Sequence, residues 1–133
     1  HFGKNISLKE IKDLGKIDLM LTGASAVSKN GVRFGKGHGF FDLEWGMFAD
    51  IKIVNEKTPI IAVVHDFQIV NFELEPSETD IIVDYISTNQ HFLSTNRKMK
   101  RPSGIYWSML EKGMLEATPP LQELKILRKN SNL

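Results

Sequence analysis

The spacing of hydrophobic residues changes several times along the chain, and each change predicts a different element. The first pattern is helical: apolar residues recur every three positions over residues 7–14. Ser7 followed by Glu10 forms a capping-box pair, and Gly15 supplies a stop. A short helix over residues 7–14 is therefore predicted.

A second helical pattern starts at Phe40 and is broken at Thr58-Pro59. Its apolar residues occupy two faces, which predicts burial on more than one side. The first face carries Phe40, Leu43, Met47, Ile51 and Val54, and the second carries Phe41, Trp45 and Phe48. A third pattern, at residues 121–128, predicts a closing helix.

Three compact apolar runs predict strands, at residues 17–22, 60–64 and 81–86. The run at 60–64, IIAVV, is rich in β-branched residues and does not alternate with polar ones, as in a central parallel strand. The run at 81–86, IIVDYI, is interrupted by the acid Asp84. Residues 68–70 are predicted to pair briefly. The glycine-rich segment 23–39 and the acidic segment 73–80 read as loops.

Strands that alternate with helices predict an α/β fold, with a mainly parallel central sheet, helices on both faces and a Rossmann-like three-layer architecture. The 133 residues fit a single domain. Three clear strands are few for a sheet covered on both faces, and the chain begins with His1. We therefore expect residues 1–133 to be one domain that is incomplete at its N-terminus.

Composition narrows the function classes. Apolar residues make up 41% and charged residues 25%, as in ordinary globular proteins, and the net charge of +1 gives no argument for nucleic acid. The absence of cysteine excludes disulfides, thiolate zinc sites and thiol nucleophiles, and fits a reducing, cytoplasmic location. Four dispersed histidines do not favour zinc. The longest apolar run, residues 59–64, is too short to span a membrane.

Candidate chemistry concentrates in RFGKGHGFFD, residues 33–42. Its three glycines reach positive φ freely, so successive N–H groups can face one concavity just before a helix N-terminus, an arrangement that suits phosphate. Arg33, Lys36 and His38 add positive charge, and Asp42 is placed to hold Mg²⁺ against that phosphate. The alternative is a flexible loop with Asp42 as a helix cap. The segment matches neither a Walker A loop nor a dinucleotide fingerprint.

The same segment resembles the signature R-L-G-x-G-x-G-Y-Y-D of 5-formyltetrahydrofolate cyclo-ligases, also called methenyltetrahydrofolate synthetases. The flanking stretches IDLMLTGASAVSKNG, IIAVVHDFQIV and ETDIIVDYIST are similar to that family as well. GHGFFDLEWGMF and KRPSGIYW look closest to its methenyltetrahydrofolate synthetase domain-containing branch. The resemblance is to a C-terminal portion, because family members carry an additional N-terminal half with an ATP-contacting segment and much of the folate pocket.

The resemblance implies an ATP- and Mg²⁺-dependent cyclisation of 5-formyltetrahydrofolate to 5,10-methenyltetrahydrofolate. It assigns the magnesium to Asp42 and Asp84. An acid inside an apolar run is costly to bury unless a cation or hydrogen bonds compensate, although Asp84 also reads as an acid at an exposed strand end. The residues implied to bind the ATP phosphates lie in the glycine segment: Arg33, Gly35, Lys36, Gly37, His38 and Gly39.

Several features leave a second hypothesis open, a non-catalytic nucleotide- or RNA-binding module of the same fold. Phe40 and Phe41 replace the family's tyrosine pair, and Lys36 stands where arginine is usual. The basic run NRKMKR, residues 96–101, reads as solvated surface, as a rim that attracts ATP or a folate tail, or as an RNA contact. The Tyr106-Trp107 pair reads as core or as a stacking surface for adenine or pterin.

Overall fold

The computed structural model describes residues 3–37 and 39–131, which form two small sheets and four helices. The strands of this part of the chain are β1 (Met20–Thr22), β2 (Ala26–Ser28), β3 (Arg33–Phe34), β4 (Ile60–Val63), β5 (Ile69–Val70), β6 (Tyr85–Ser87) and β7 (Phe92–Ser94). The helices are α1 (Leu8–Asp13), α2 (Phe40–Asp50), α3 (Met114–Ala117) and α4 (Pro119–Ser131). Single 3₁₀ turns follow β4, at Asp66–Gln68, and precede α3, at Trp107–Met109.

The larger sheet has the order β1-β4-β6-β7, with the first three strands parallel and β7 antiparallel to β6. The predicted strand at 60–64 is confirmed as β4, one of the two inner strands of this sheet. Of the predicted strand at 17–22 only the last three residues pair. The mainly parallel sheet and its flanking helices confirm the predicted α/β class.

Residues 23–39 are more than the predicted loop, because they contain two strands of a second sheet with the order β3-β2-β5. The predicted pairing near residues 68–70 is confirmed as β5 alongside β2. The third predicted strand is displaced: it runs from Tyr85 to Ser87 rather than over 81–86. Residues 81–83 instead approach the β2–β3 turn, where the Val83 N–H donates to the Gly31 carbonyl at 3.1 Å. A Cβ on Gly31, which has φ +90°, would lie 2.6 Å from the Val83 oxygen.

Helices α1 and α2 begin where the sequence predicts, whereas α3 was not predicted. At α1 the Ser7 hydroxyl accepts from the Glu10 N–H at 3.1 Å and the Glu10 carboxylate accepts from the Ser7 N–H at 3.2 Å, a complete capping box. Helix α2 starts at Phe40 but ends at Asp50, well before Thr58-Pro59, because Lys52 takes a left-handed backbone with φ 63°. The predicted closing helix is confirmed and is longer, Pro119–Ser131.

The core lies between one face of the larger sheet and helix α2. Trp45 of α2 is buried with Ile60, Ala62 and Ile86 of the sheet, and residues of α1 and α4 join the same cluster. The register places Leu21, Val63 and Phe92 on the opposite sheet face, where all three are exposed. None of the helices in the described residues is long and apolar enough to cross a membrane.

Candidate functional site

The glycine segment leaves β3 and leads directly into α2. Gly35, Gly37 and Gly39 all adopt positive φ, between 63° and 71°, a backbone that side chains with a Cβ rarely take. Around Gly37 and Gly39 an added Cβ would meet nothing within 4 Å, so this backbone borders open space. His38 lies outside the described residues. The predicted exposed, glycine-dependent turn before a helix N-terminus is thus present, whereas its role in phosphate binding stays a prediction.

Lys36 joins two carboxylates beside this turn. Its ammonium group forms ion pairs with Asp42, in the first turn of α2, and with Asp80, at the end of the acidic loop. All three side chains are less than one quarter exposed. Two acids and one base from three separate segments therefore meet at a single point. Sequence reasoning missed Asp80, although an acid directly before the apolar run 81–83 was a usable signal.

Arg33 holds Asp42 from the other side. Its side chain is 2% exposed, and its guanidinium donates to Asp42 Oδ1 at 2.6 Å and to Thr22 Oγ1 at 3.0 Å. The same group lies 4.7 Å from the ring centre of Phe41, while its buried Nε has no hydrogen-bond partner. Burial lowers the pKa of this guanidinium, and Asp42 and Asp80 oppose that shift. This geometry favours an orienting role for Arg33 over the predicted direct contact with phosphate.

A cavity of about 400 Å³ opens next to this cluster. One end is polar and is formed by the glycine turn, Lys36, Asp42 and Asp80. The other end is largely apolar. It is lined by Leu43, Pro102, Ile105, Tyr106, Met109, Leu110 and Met114, with Glu111 as its acidic member. The volume falls in the range of sites that enclose one small organic ligand.

Asp84 lies elsewhere. Its carboxylate accepts from the Ile60 N–H at 2.8 Å and from Arg97 Nε at 3.0 Å, and it also pairs with Arg101. Ile60 begins β4, whereas Arg33, which holds Asp42, contacts the last residue of the parallel strand β1. Asp84 does not line the cavity that contains Asp42. The structure therefore does not bring together the two acids that the family resemblance assigned to one magnesium.

Within the described residues, no group of three or more carboxylate or imidazole side chains is arranged to hold a metal ion. A magnesium ion, however, is commonly bound by one or two carboxylates together with phosphate oxygens and water. Asp42 and Asp80 meet that requirement, since both already point at one cation, the Lys36 ammonium. The residues present therefore fit a magnesium that arrives with a nucleotide.

The basic run 96–101 does not form a continuous basic surface. Arg97 and Arg101 turn inward, where Arg97 pairs with Glu56 at 2.8 Å and both arginines pair with Asp84. Lys98 and Lys100 remain exposed. The aromatic pair also separates: Trp107 packs against the core, whereas Tyr106 is 42% exposed and lines the cavity.

Hydrogen bonds lower the pKa of two carboxyl groups, those of Asp80 and Asp84. Burial raises the pKa of the Asp84 carboxyl, but the bonds from the Ile60 N–H, Arg97 and Arg101 outweigh it and hold the pKa below its ordinary value of 3.8. Burial likewise raises the pKa of Asp80, and the bonds from Lys36 and Ser77 bring about a net decrease. Both carboxyls thus bind protons less tightly in the folded chain than in the unfolded one. The stability that they contribute is present above the ordinary carboxyl pKa and is lost as the pH falls below about 4 toward the folded pKa values.

We expect the free energy of unfolding to fall as the pH drops below about 4, because protonation breaks these ion pairs. Urea titrations at a series of pH values measure this slope. Asp84→Asn should flatten it, whereas Asp18→Asn, at an exposed position, should leave it unchanged. Equal slopes for Asp84→Asn and the unmodified chain would show that protonation of Asp84 does not cause the loss of stability in acid.

Comparison with known proteins gives an independent view. Residues 4–89 match the sequence model of the 5-formyltetrahydrofolate cyclo-ligase family. A methenyltetrahydrofolate synthase domain-containing protein of Danio rerio is 40% identical over 122 residues, which are 91% of this chain and 32% of the relative. Relatives of the same name from Homo sapiens and Mus musculus are 40% and 38% identical over 110 residues, 82% of this chain and 29% and 30% of their own lengths. The chain spans about a third of the length of the curated relatives that it matches.

Proposed function

Because the chain belongs to the 5-formyltetrahydrofolate cyclo-ligase family, we propose that it supplies the Mg-ATP site of a folate-dependent ligase. The reaction proposed is the cyclisation of 5-formyltetrahydrofolate to 5,10-methenyltetrahydrofolate. One observation carries the proposal: Lys36, Asp42 and Asp80 converge at the polar end of a cavity bordered by the glycine turn. The rest of the folate pocket belongs, in this proposal, to the remainder of a longer protein.

The triphosphate binds at the glycine turn. Backbone N–H groups in left-handed turns and at helix N-termini bind anionic oxygens, and both features adjoin here. The Lys36 ammonium supplies the full positive charge. The ammonium has three donors, and its two carboxylates occupy two of them, so the third is available to a phosphate oxygen. Arg33 does not move, because it is buried and keeps Asp42 oriented through the bond at 2.6 Å.

Asp42 and Asp80 are the residues that would hold a magnesium ion accompanying the nucleotide. The ion supplies charge neutralisation for the phosphates, which is most of what a protein contributes to phosphoryl transfer together with positioning. The chain's own share is to hold the two carboxylates at a fixed separation and to leave Lys36 free to neutralise the remaining charge. No general base is required of the residues around the cavity.

We expect Asp42→Asn and Asp80→Asn each to weaken ATP binding about tenfold or more when magnesium is present, and far less in EDTA. The reason is that an amide replaces a charged ligand of the ion. Isothermal calorimetry in both buffers measures the difference. Asp84→Asn is the matched comparison, and it should leave the magnesium dependence intact. Loss of that dependence in Asp84→Asn but not in Asp80→Asn would instead support the pair chosen from sequence.

The whole proposal is tested by two measurements on one preparation. Calorimetry with Mg-ATP measures binding, and the absorbance of 5,10-methenyltetrahydrofolate measures turnover of 5-formyltetrahydrofolate. Turnover supports the ligase. Binding without turnover, in the full-length protein as well as in this chain, would assign it to a non-catalytic nucleotide-binding module, an outcome consistent with Phe40 and Phe41 in place of two tyrosines. Absence of binding would overturn both.

A further inference from the structure

One wall of the cavity comes from outside the residues that match the cyclo-ligase family. The match ends at residue 89, whereas residues 102–114 line the apolar end of the cavity. The alignment with the relative from Danio rerio covers all but 11 of the 133 residues and therefore includes this segment. The similarity to that relative thus extends through the wall segment, which lies beyond the part matched to the cyclo-ligases.

The wall is fixed to helix α2, the same helix whose first turn carries Asp42. The Trp45 indole N–H donates to the Pro102 carbonyl at 2.9 Å, and the Ile105 N–H donates to Asp50 Oδ2 at 2.9 Å. Gly104 lies so close to Asp50 that a Cβ there would collide with the carboxylate. Helix α2 thus contributes Asp42 to the polar end and also holds the wall through Trp45 and Asp50.

The two ends suit the two parts of one kind of ligand. The polar end binds a polyanion under the proposed function, and the other end presents apolar and aromatic side chains. Tyr106 is the aromatic member and keeps 42% of its surface exposed. Met109 and Met114 are flexible and polarisable, so they adapt to a flat ring. A flat ring attached to a polyphosphate is a nucleoside triphosphate.

We infer that residues 105–114 form the nucleobase subsite of the cavity and that the Tyr106 ring stacks on the base. The inference rests on the proposed function, because the triphosphate must be anchored at Lys36 for the base to reach the wall. It goes further by assigning recognition of the base to a segment outside the family match. Stacking on an aromatic side chain tolerates any base face, so Tyr106 adds affinity and the neighbouring side chains limit the size of the ring.

Comparison of ATP with inorganic tripolyphosphate, each with magnesium, separates the subsite from its anchor. Tripolyphosphate carries the anionic part of the ligand and lacks the ring. We expect Tyr106→Ala to weaken ATP binding about tenfold and to leave tripolyphosphate binding unchanged. Tyr106→Phe keeps the ring and should bind both ligands as the unmodified chain does. Phe72→Ala, at an exposed aromatic residue that does not line the cavity, is the matched control.

The outcomes are distinct. A selective loss of ATP affinity in Tyr106→Ala supports the subsite. Equal losses for both ligands, or no loss for either, overturn it and leave the proposed function standing. If neither ligand binds the unmodified chain, the proposed function is overturned and the subsite with it. Thermal unfolding of each variant identifies any change caused by misfolding. A loss of ATP affinity in Tyr106→Phe would show that the hydroxyl, and not the ring, makes the contact, and would overturn the stacking.

Discussion

Replacing Arg101 with methionine should lower the free energy of unfolding by about 3 kcal/mol, the largest stability effect that we expect from a single change. The Arg101 side chain is fully buried. It donates to the Thr58 carbonyl at 2.9 Å and the Ile82 carbonyl at 3.1 Å, pairs with Asp84, and lies 4.9 Å from the ring centre of Trp45. Methionine fills similar space but leaves two carbonyls and a carboxylate without that donor.

Urea denaturation of the two proteins measures this loss. Lys100→Met changes an exposed neighbour and should alter stability by less than about 0.5 kcal/mol. Asp84→Asn, alone and combined with Arg101→Met, completes a double-mutant cycle, and the coupling energy isolates the ion pair from the two carbonyl bonds. A loss below about 1 kcal/mol for Arg101→Met would show that the hydrogen bonds and the ion pair of Arg101 contribute little to stability.

Replacing Lys36 with alanine should weaken Mg-ATP binding ten- to a hundredfold, the largest effect on binding that we expect. A hydrogen bond to a charged group contributes about 1.5–3 kcal/mol, and Lys36 is the cation that the cavity presents to the triphosphate. Calorimetry against Lys57→Ala, an exposed lysine that does not line the cavity, provides the matched control. Equal affinities for the two variants would remove Lys36 from the site.

The same variant makes a second measurement possible. Without the ammonium, Asp42 and Asp80 face each other with one fewer compensating charge, so a divalent cation gains a site in the absence of nucleotide. Magnesium alone should therefore raise the unfolding temperature of Lys36→Ala more than that of the unmodified chain. This test reports on the two carboxylates and does not depend on any enzymatic activity.

Regular patterns in the sequence were enough to predict several of the elements that contribute to the core. The β-branched run IIAVV became β4, and the capping pair Ser7–Glu10 fixed the start of α1. The second sheet was missed because β2 and β3 have three and two residues, too few to show a period of two. The strand at 81–86 was misplaced because the Val83 N–H donates to the Gly31 carbonyl and not to a neighbouring strand of the larger sheet. This is a long-range contact that no local pattern reveals.

The candidate site was likewise predictable only in part. The glycine turn and Lys36 are evident from RFGKGHGFFD alone, and so is the placement of Asp42 at the start of a helix. The partner acid was not evident, because Asp80 reaches Lys36 from 44 positions away. Asp84 was more prominent in the sequence, since it interrupts an apolar run, yet Arg97 and Arg101 already satisfy its charge.

Asp50 connects helix α4 to the wall of the cavity through hydrogen bonds. One of its oxygens accepts from Arg128 of α4 at 2.9 Å, and the other accepts from the Ile105 N–H of the apolar wall at 2.9 Å. The two donors are fixed relative to each other through a single carboxylate, although Arg128 lies 78 positions from Asp50 in the chain. A substitution of Arg128, which does not itself line the cavity, is therefore only two hydrogen bonds away from Ile105, which does.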